Sequence, residues 1–305
     1  MGSRWTWRLV ALPGVVWLSV FFLCAFYVVL AVAFGNQDTL SQPVPHWNPL
    51  DWNVGYVVDM FDNLFHGGPF WTVSLRTIEF VALAVALSLL VGYPVAYFTA
   101  RHAGRWKGAI LLALILPLWI NYLMRMLAWI NLLAPDGIGS RFLHNVGIEW
   151  LFLQLGLLAE PGGWLNGQPT TVVLALLYGY IPFFILPLFV AIDRIDGRQI
   201  DAARDLGASP ASAFLRVTLP LSVPGILAGA VLITLPMFGD YYTADLVSAS
   251  TQTNMIGNQI DEFMRQGSEK VTGAALTLLL SAFLLGLMFY YLRTTRRAGT
   301  SAQTT

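Results

Sequence analysis

Cysteine is nearly absent from this chain of 305 residues: the one copy, Cys24, lies inside an apolar run. A disulfide framework and a cysteine-rich metal site are therefore both excluded. Lysine is almost as scarce, with Lys107 and Lys270 as the only copies, and neither follows a glycine. A phosphate-cradling Gly-Lys-Ser/Thr loop cannot be built from them. The histidines number four and are scattered along the chain; His46 and His66 read as solvated loop residues, since no close His/Asp pair has ligand spacing. No Ser/His/Asp, zinc or nucleotide-binding constellation is visible, which argues against an enzyme.

Charge is scarce too, at 11% of residues and zero net, while 56% of the chain is hydrophobic and mean hydropathy is +0.64. Those figures lie outside the soluble average and point to a membrane protein. A bilayer core takes about 20 apolar residues per helix. Six runs qualify: Leu9–Phe34, Phe80–Ala100, Gly108–Ala134 (interrupted by Arg125), Thr170–Ile192, Val217–Gly239 and Val271–Leu292. The sequence thus predicts an all-α membrane protein of six transmembrane helices.

The sparse charges are sorted by side. With the amino terminus inside, the cytoplasmic segments hold Arg4, Arg8, Arg101, Arg105, Lys107, Arg194, Arg198, Arg204, Arg216, Arg293, Arg296 and Arg297. Only Arg76, Arg125, Arg141, Arg265 and Lys270 fall elsewhere, so the positive-inside rule puts both termini in the cytoplasm. The acids on the inner side are Asp193, Asp196, Asp201 and Asp205. The outer acidity either solubilises the loops or draws in a cation or cationic partner.

Leu9–Phe34 is too long for a signal-peptide core and reads as a retained helix. An external loop from Gly35 to about Gly68 follows, with interfacial aromatics such as Trp47, Trp52 and Trp71 and a short helix expected near Val54–Phe65. Arg76 and Glu79, one helical turn apart, read as a mutually neutralising pair, with a polar pathway as the alternative. Arg125, by rise per residue in an unbroken helix, falls in the outer third of the bilayer. There it either faces a partner or watery cavity, or snorkels to the headgroups. Ile148–Leu158 is apolar but too short to span, so an interfacial helix is expected. Pro182 and Pro187 should kink the fourth span, and the tail beyond Arg293 reads as disordered.

The polar interlude between the fourth and fifth runs carries the most informative pattern. Asp201-Ala202-Ala203 is followed after three residues by Gly207, and after nine more by Val217-Thr218-Leu219-Pro220. The alanines allow a partner surface close approach, Gly207 can end a helix in the left-handed region, and Pro210 suits a new start. Leu219-Pro220 and Pro224 are expected to stop the second helix and turn the chain into the membrane. The spacing resembles the signature of ABC-importer permeases, with Asp201 standing where that family has Glu and Val217 where it has Ile. The resemblance implies a type I ABC importer permease fold, with Asp201, Ala202, Ala203, Gly207, Val217, Leu219 and Pro220 coupling to a groove on an ATPase subunit.

Two further stretches are similar to permeases of spermidine/putrescine importers (the PotB type). One is Pro117, Trp119, Asn121, Arg125 and Trp129; the other is Pro236 to Leu246 with Met255-Ile256-Gly257 downstream. Protonated amines bind carboxylates and stack on aromatic faces. Asp240, Tyr241, Tyr242 and Asp245, with Trp119, Asn121, Arg125 and Trp129, are therefore the candidate substrate path; a plain interfacial turn is the alternative for 240–245. The resemblance implies a polyamine importer in the bacterial inner membrane. This chain would pair with a second permease subunit, two ATP-binding subunits and an extracytoplasmic solute-binding protein. No cofactor would be bound by this chain, with ATP and Mg on the ATPase subunits. Residues 1–70 would form the first helix and external loop, 71–292 a five-helix core with the coupling loop at 193–222, and 293–305 a cytoplasmic tail. The same fold importing thiamine or ferric iron stays open as an alternative, and an ion-driven secondary transporter would leave the signature loop unexplained.

Overall fold

The computed structural model describes residues 4–38, 42–65, 67–68, 70–248, 250–266 and 269–301; His66 lies outside them. The chain begins α1 (Arg4–Ala33), a hairpin of two-residue strands β1 (Asn36–Gln37) and β2 (Pro43–Val44), α2 (Gly55–Phe65) and α3 (Trp71–Arg101). Next come α4 (Lys107–Ile115), α5 (Tyr122–Leu133), α6 (Ile138–Asn145), α7 (Ile148–Gln154) and α8 (Pro169–Asp193). The remainder is α9 (Gly197–Asp205), α10 (Pro210–Ala213), α11 (Leu219–Phe238), α12 (Tyr242–Ser248), α13 (Ile256–Arg265) and α14 (Lys270–Ser301).

Among the described residues, five stretches are long and apolar enough to cross a bilayer: Val10–Ala33, Trp71–Arg101, Pro169–Asp193, Pro210–Phe238 and Lys270–Thr294. The third expected span is the exception. Gly104–Trp119 and Tyr122–Leu133 meet at a 95° bend instead of forming one rod. Pro117 sits in a short 3-10 turn, Ile120 is extended, and the Asn121 side chain accepts from Leu123 N at 2.9 Å to start α5 afresh. A proline that lacks its N–H and an Asn cap are sufficient to break the ladder there. Counting rise along one unbroken helix therefore does not apply to Arg125.

Other expectations are corrected as well. Leu219-Pro220 does not stop a helix: α10 passes through a π turn, Phe214–Thr218, straight into α11. The wider turn and the position of Pro220 at the start of α11 dispense with the N–H that proline lacks. The segment after Arg293 is helical as far as Ser301, a continuation of α14. Arg76 and Glu79 lie close enough for their charges to attract, and the Arg76 Nη1 also donates to the carbonyls of Thr251 (3.0 Å) and Asn254 (3.3 Å).

The chain forms two compact units. The first comprises residues 1–72 and 259–283. In it, Val57, Met60 and Leu64 on α2 are buried against Ala275 and Leu276 of α14. Phe34 stacks on Trp52 with ring centroids 4.8 Å apart, and the Trp52 indole N–H donates to His46 O, so the hairpin loop is tied to the end of α1. Most of α1 is exposed apolar surface, as a lipid-facing helix must be.

The second unit comprises residues 73–258 and 284–305. The buried face of α3 is dominated by small residues: Ser74, Thr77, Ala84, Ser88, Gly92, Ala96 and Thr99. Such a seam lets helix backbones approach where lipid offers no hydrophobic drive. Thr77, Ser88 and Thr99 each donate their hydroxyl to the carbonyl four residues back, which satisfies it inside the helix. α8 continues through Pro182 and Pro187 and packs along α11. At Gly225 of α11 an added Cβ would stand 2.4 Å from the Ala191 Cβ, so only glycine permits this approach. The 134–168 segment folds over Leu133, Leu158 and Trp164, and the buried Glu149 braces it by accepting from Gly162 N and pairing with His144 at 2.9 Å.

Candidate functional site

Two places in the second unit carry the residues singled out by sequence. The first is the 197–220 segment. Asp196 caps α9 by accepting from Arg198 N at 3.0 Å. α9 ends where Gly207 takes φ +88°, and Ser209 then caps α10 by accepting from Ser212 N at 3.2 Å. The left-handed glycine and the second cap make the expected pair of short helices broken at Gly207. Asp201, Ala202, Gly207 and Pro220 are exposed, and Ala203, Val217 and Leu219 are half-buried. Leu206 is 90% exposed between the two helices, beside an open cleft of about 530 Å³ that includes Ala203, Ser212 and Arg216.

The second place is the turn after α11. Asp240 is buried and accepts from four donors: Tyr122 Oη (2.9 Å), Tyr180 Oη (2.9 Å), Thr243 N (2.9 Å) and Thr243 Oγ1 (2.8 Å). Arg125, also buried, lies over the Tyr122 ring at 5.1 Å and reaches Gly179 O at 3.4 Å. Its guanidinium is thus held against α8, inside the protein. The Met255–Asn258 stretch lies on the same turn. Asn258 donates to Tyr241 O at 2.5 Å, and a Cβ on Gly257 would come within 2.5 Å of Asp240 O.

The structure therefore joins Asp240 to Arg125 through Tyr122, and the other candidates make contacts of their own. Tyr241 and Tyr242 meet at a 33° tilt with ring centroids 3.9 Å apart, Asp245 is exposed, Trp119 is 79% exposed, and Asn121 serves as the α5 cap. Trp129 packs edge-on to Tyr178 at 5.4 Å. Tyr122, Tyr180 and Thr243 were not singled out by sequence. The available signal was a phenol inside an otherwise apolar span, since a buried hydroxyl needs a partner. Among the described residues no group of three or more His, Cys, Asp or Glu could hold a metal ion.

Comparison with known proteins gives a consistent result. Residues 92–298 match the family model described as "Binding-protein-dependent transport system inner membrane component". The chain is 31% identical over 278 residues to the spermidine/putrescine transport system permease protein PotB of Haemophilus influenzae, covering 91% of this chain and 90% of that protein. It is 28% identical over 280 residues to the Escherichia coli K12 protein of the same name, covering 92% and 94%. Among solved structures, a chain of a bacterial alginate ABC transporter in complex with an alginate pentasaccharide-bound periplasmic protein superposes with TM-score 0.69. That match covers 96% of this chain and 95% of the other at 17% identity, a likeness of fold.

Proposed function

The chain belongs to the binding-protein-dependent transport system inner membrane component family, and from that membership we propose that it is the permease subunit of an ATP-driven polyamine importer. It is a multi-pass protein of the bacterial inner membrane and a transport component. The cargo reading, spermidine or putrescine, rests on the relatives' names and on the likeness over most of the chain. Thiamine or ferric iron on the same fold is the second reading.

The observation that carries the mechanism is the exposed 197–220 segment, two short helices hinged at Gly207 with Leu206 projecting between them. That shape suits insertion into a groove of an ATP-binding subunit, which would supply the ATP and Mg. Closure of two such subunits would push on Asp201, Ala202, Ala203 and Gly207 and on the Val217–Pro220 base. Coupling of this kind requires state-dependent contact between segment and ATPase. With both termini cytoplasmic, the external loops from Gly35 to about Gly68 and from Pro135 to Gly167 would receive a solute-binding protein, and a second permease subunit would complete the path. Residues 71–292 act as the core in this reading, and the candidate path lies at Trp119, Asn121, Arg125, Trp129, Asp240, Tyr241, Tyr242 and Asp245.

The test is co-expression of the chain with the ATP-binding and second permease subunits of its system. An ATPase that co-purifies with the chain and detaches when residues 197–213 are replaced by a Gly/Ser linker is the expected result. Association that survives the replacement overturns the docking role.

A further inference from the structure

One face of α3 holds both ends of the 197–213 segment. Tyr93, Tyr97 and Arg101 follow at i, i+4 and i+8, so they line a single face at the end of α3. Phe214, the first residue of the π turn, meets Tyr93 and Tyr97 edge-on, with centroids 5.6 Å apart in each case. The Tyr93 hydroxyl also reaches Ser222 Oγ on α11 at 3.0 Å. Eight residues further along α3 from Tyr93, the Arg101 guanidinium donates to Ile192 O (3.0 Å) and Ile195 O (2.8 Å), the carbonyls where α8 gives way to α9. Lys107, at the start of α4, adds an ion pair to Asp193 at 2.5 Å.

We infer that the Tyr93–Tyr97–Arg101 face of α3 is the receiver of the coupling movement, passing displacement of the 197–213 segment into the membrane helices. The inference rests on the reading that this segment docks on an ATPase. The segment leaves α8 at Arg101 and enters α11 at Phe214, so a push on α9 or α10 has two ways into the membrane. One runs along α8 and α11 themselves; the other runs sideways into α3. Interlocked rings and a two-carbonyl guanidinium clamp transmit a lateral load, whereas a water-filled gap would not. The π turn sits at that contact, and such turns, rare overall, are frequent at functional sites. These are positioning residues, remote from cargo and nucleotide alike.

The test uses the complete reconstituted importer. Tyr97→Ala and Phe214→Ala are compared with Tyr97→Phe, which keeps the ring and drops the hydroxyl; Arg101→Ala is compared with Arg101→Lys. Readouts are ATPase co-purification, basal ATP hydrolysis, and hydrolysis stimulated by the loaded binding protein. Tyr97→Ala should keep association and basal hydrolysis but lose about tenfold in stimulation and in transport, with Tyr97→Phe restored, and Phe214→Ala should lose stimulation to the same extent. Stimulation within about twofold of the parent in both ring-deleting variants overturns the inference. Where an alanine variant fails to assemble, Tyr97→Leu and Phe214→Leu, which keep apolar bulk without a ring edge, decide by the same thresholds. Failure of the unaltered chain to retain an ATPase is a different result, and it removes the docking reading itself.

Discussion

The Tyr122 hydroxyl donates to the Asp240 carboxylate at 2.9 Å, and this one bond ties the start of α5 to the turn that ends α11. Tyr180 brings α8 to the same oxygen at 2.9 Å, so three elements share one buried acceptor. Hydrogen bonds to a charged group are worth about 1.5–3 kcal/mol each, against about 1 kcal/mol for neutral pairs.

Asp240→Asn keeps the shape and turns one acceptor oxygen into a donor amide facing hydroxyls. A loss of about 1–3 kcal/mol in stability is expected, read by thermal unfolding of the purified chain in detergent. If Asp240 serves as this brace, the double variant Tyr122→Phe/Tyr180→Phe should lose transport in step with Asp240→Asn. Near-parental transport by the double variant, beside a dead Asp240→Asn, would instead mark Asp240 as a direct cargo ligand.

Gly207 stands at φ +88° with nothing within 4 Å of an added Cβ, so substitution there meets backbone strain and no steric neighbour. Gly207→Ala should cost about 1 kcal/mol locally, and Gly207→Asn less, because Asn tolerates the left-handed region. Gly207→Arg adds a long cation to the exposed hinge and is expected to abolish transport while membrane insertion stays normal. Uptake assays and membrane fractionation on the same cells separate the two effects.

Gly225 gives a contrasting case. A methyl there would stand 2.4 Å from the Ala191 Cβ, so Gly225→Val should force α8 and α11 apart and destabilise by about 1–3 kcal/mol. Gly14, with open space around its absent Cβ, is the matched control, and Gly14→Ala should leave the melting temperature unchanged or slightly raised. Equal effects at the two sites would show that α8 and α11 are not in close contact.

Much of this was legible in the chain itself. Uncharged runs located the spans because charge and lipid exclude each other, and Gly207 marked the hinge because few residues accept its φ. The 95° break before α5 escaped detection because apolar composition carries on across Pro117 and Asn121, and hydropathy is blind to backbone capping. The Asp240 brace escaped for another reason. Its partners lie 118 and 60 residues away in sequence, at Tyr122 and Tyr180, and a phenol in an apolar run does not announce which acceptor it will find. Pro220 misled because a proline reads as a stop, while here the π turn just before it carries the helix past.

The decisive experiment measures ATP hydrolysis by the reconstituted complex, presented with its solute-binding protein and putrescine, spermidine, thiamine or ferric iron in turn. Stimulation by a polyamine and by neither of the others is the expected result. Stimulation by thiamine or iron, with both polyamines silent, would rule out a polyamine cargo.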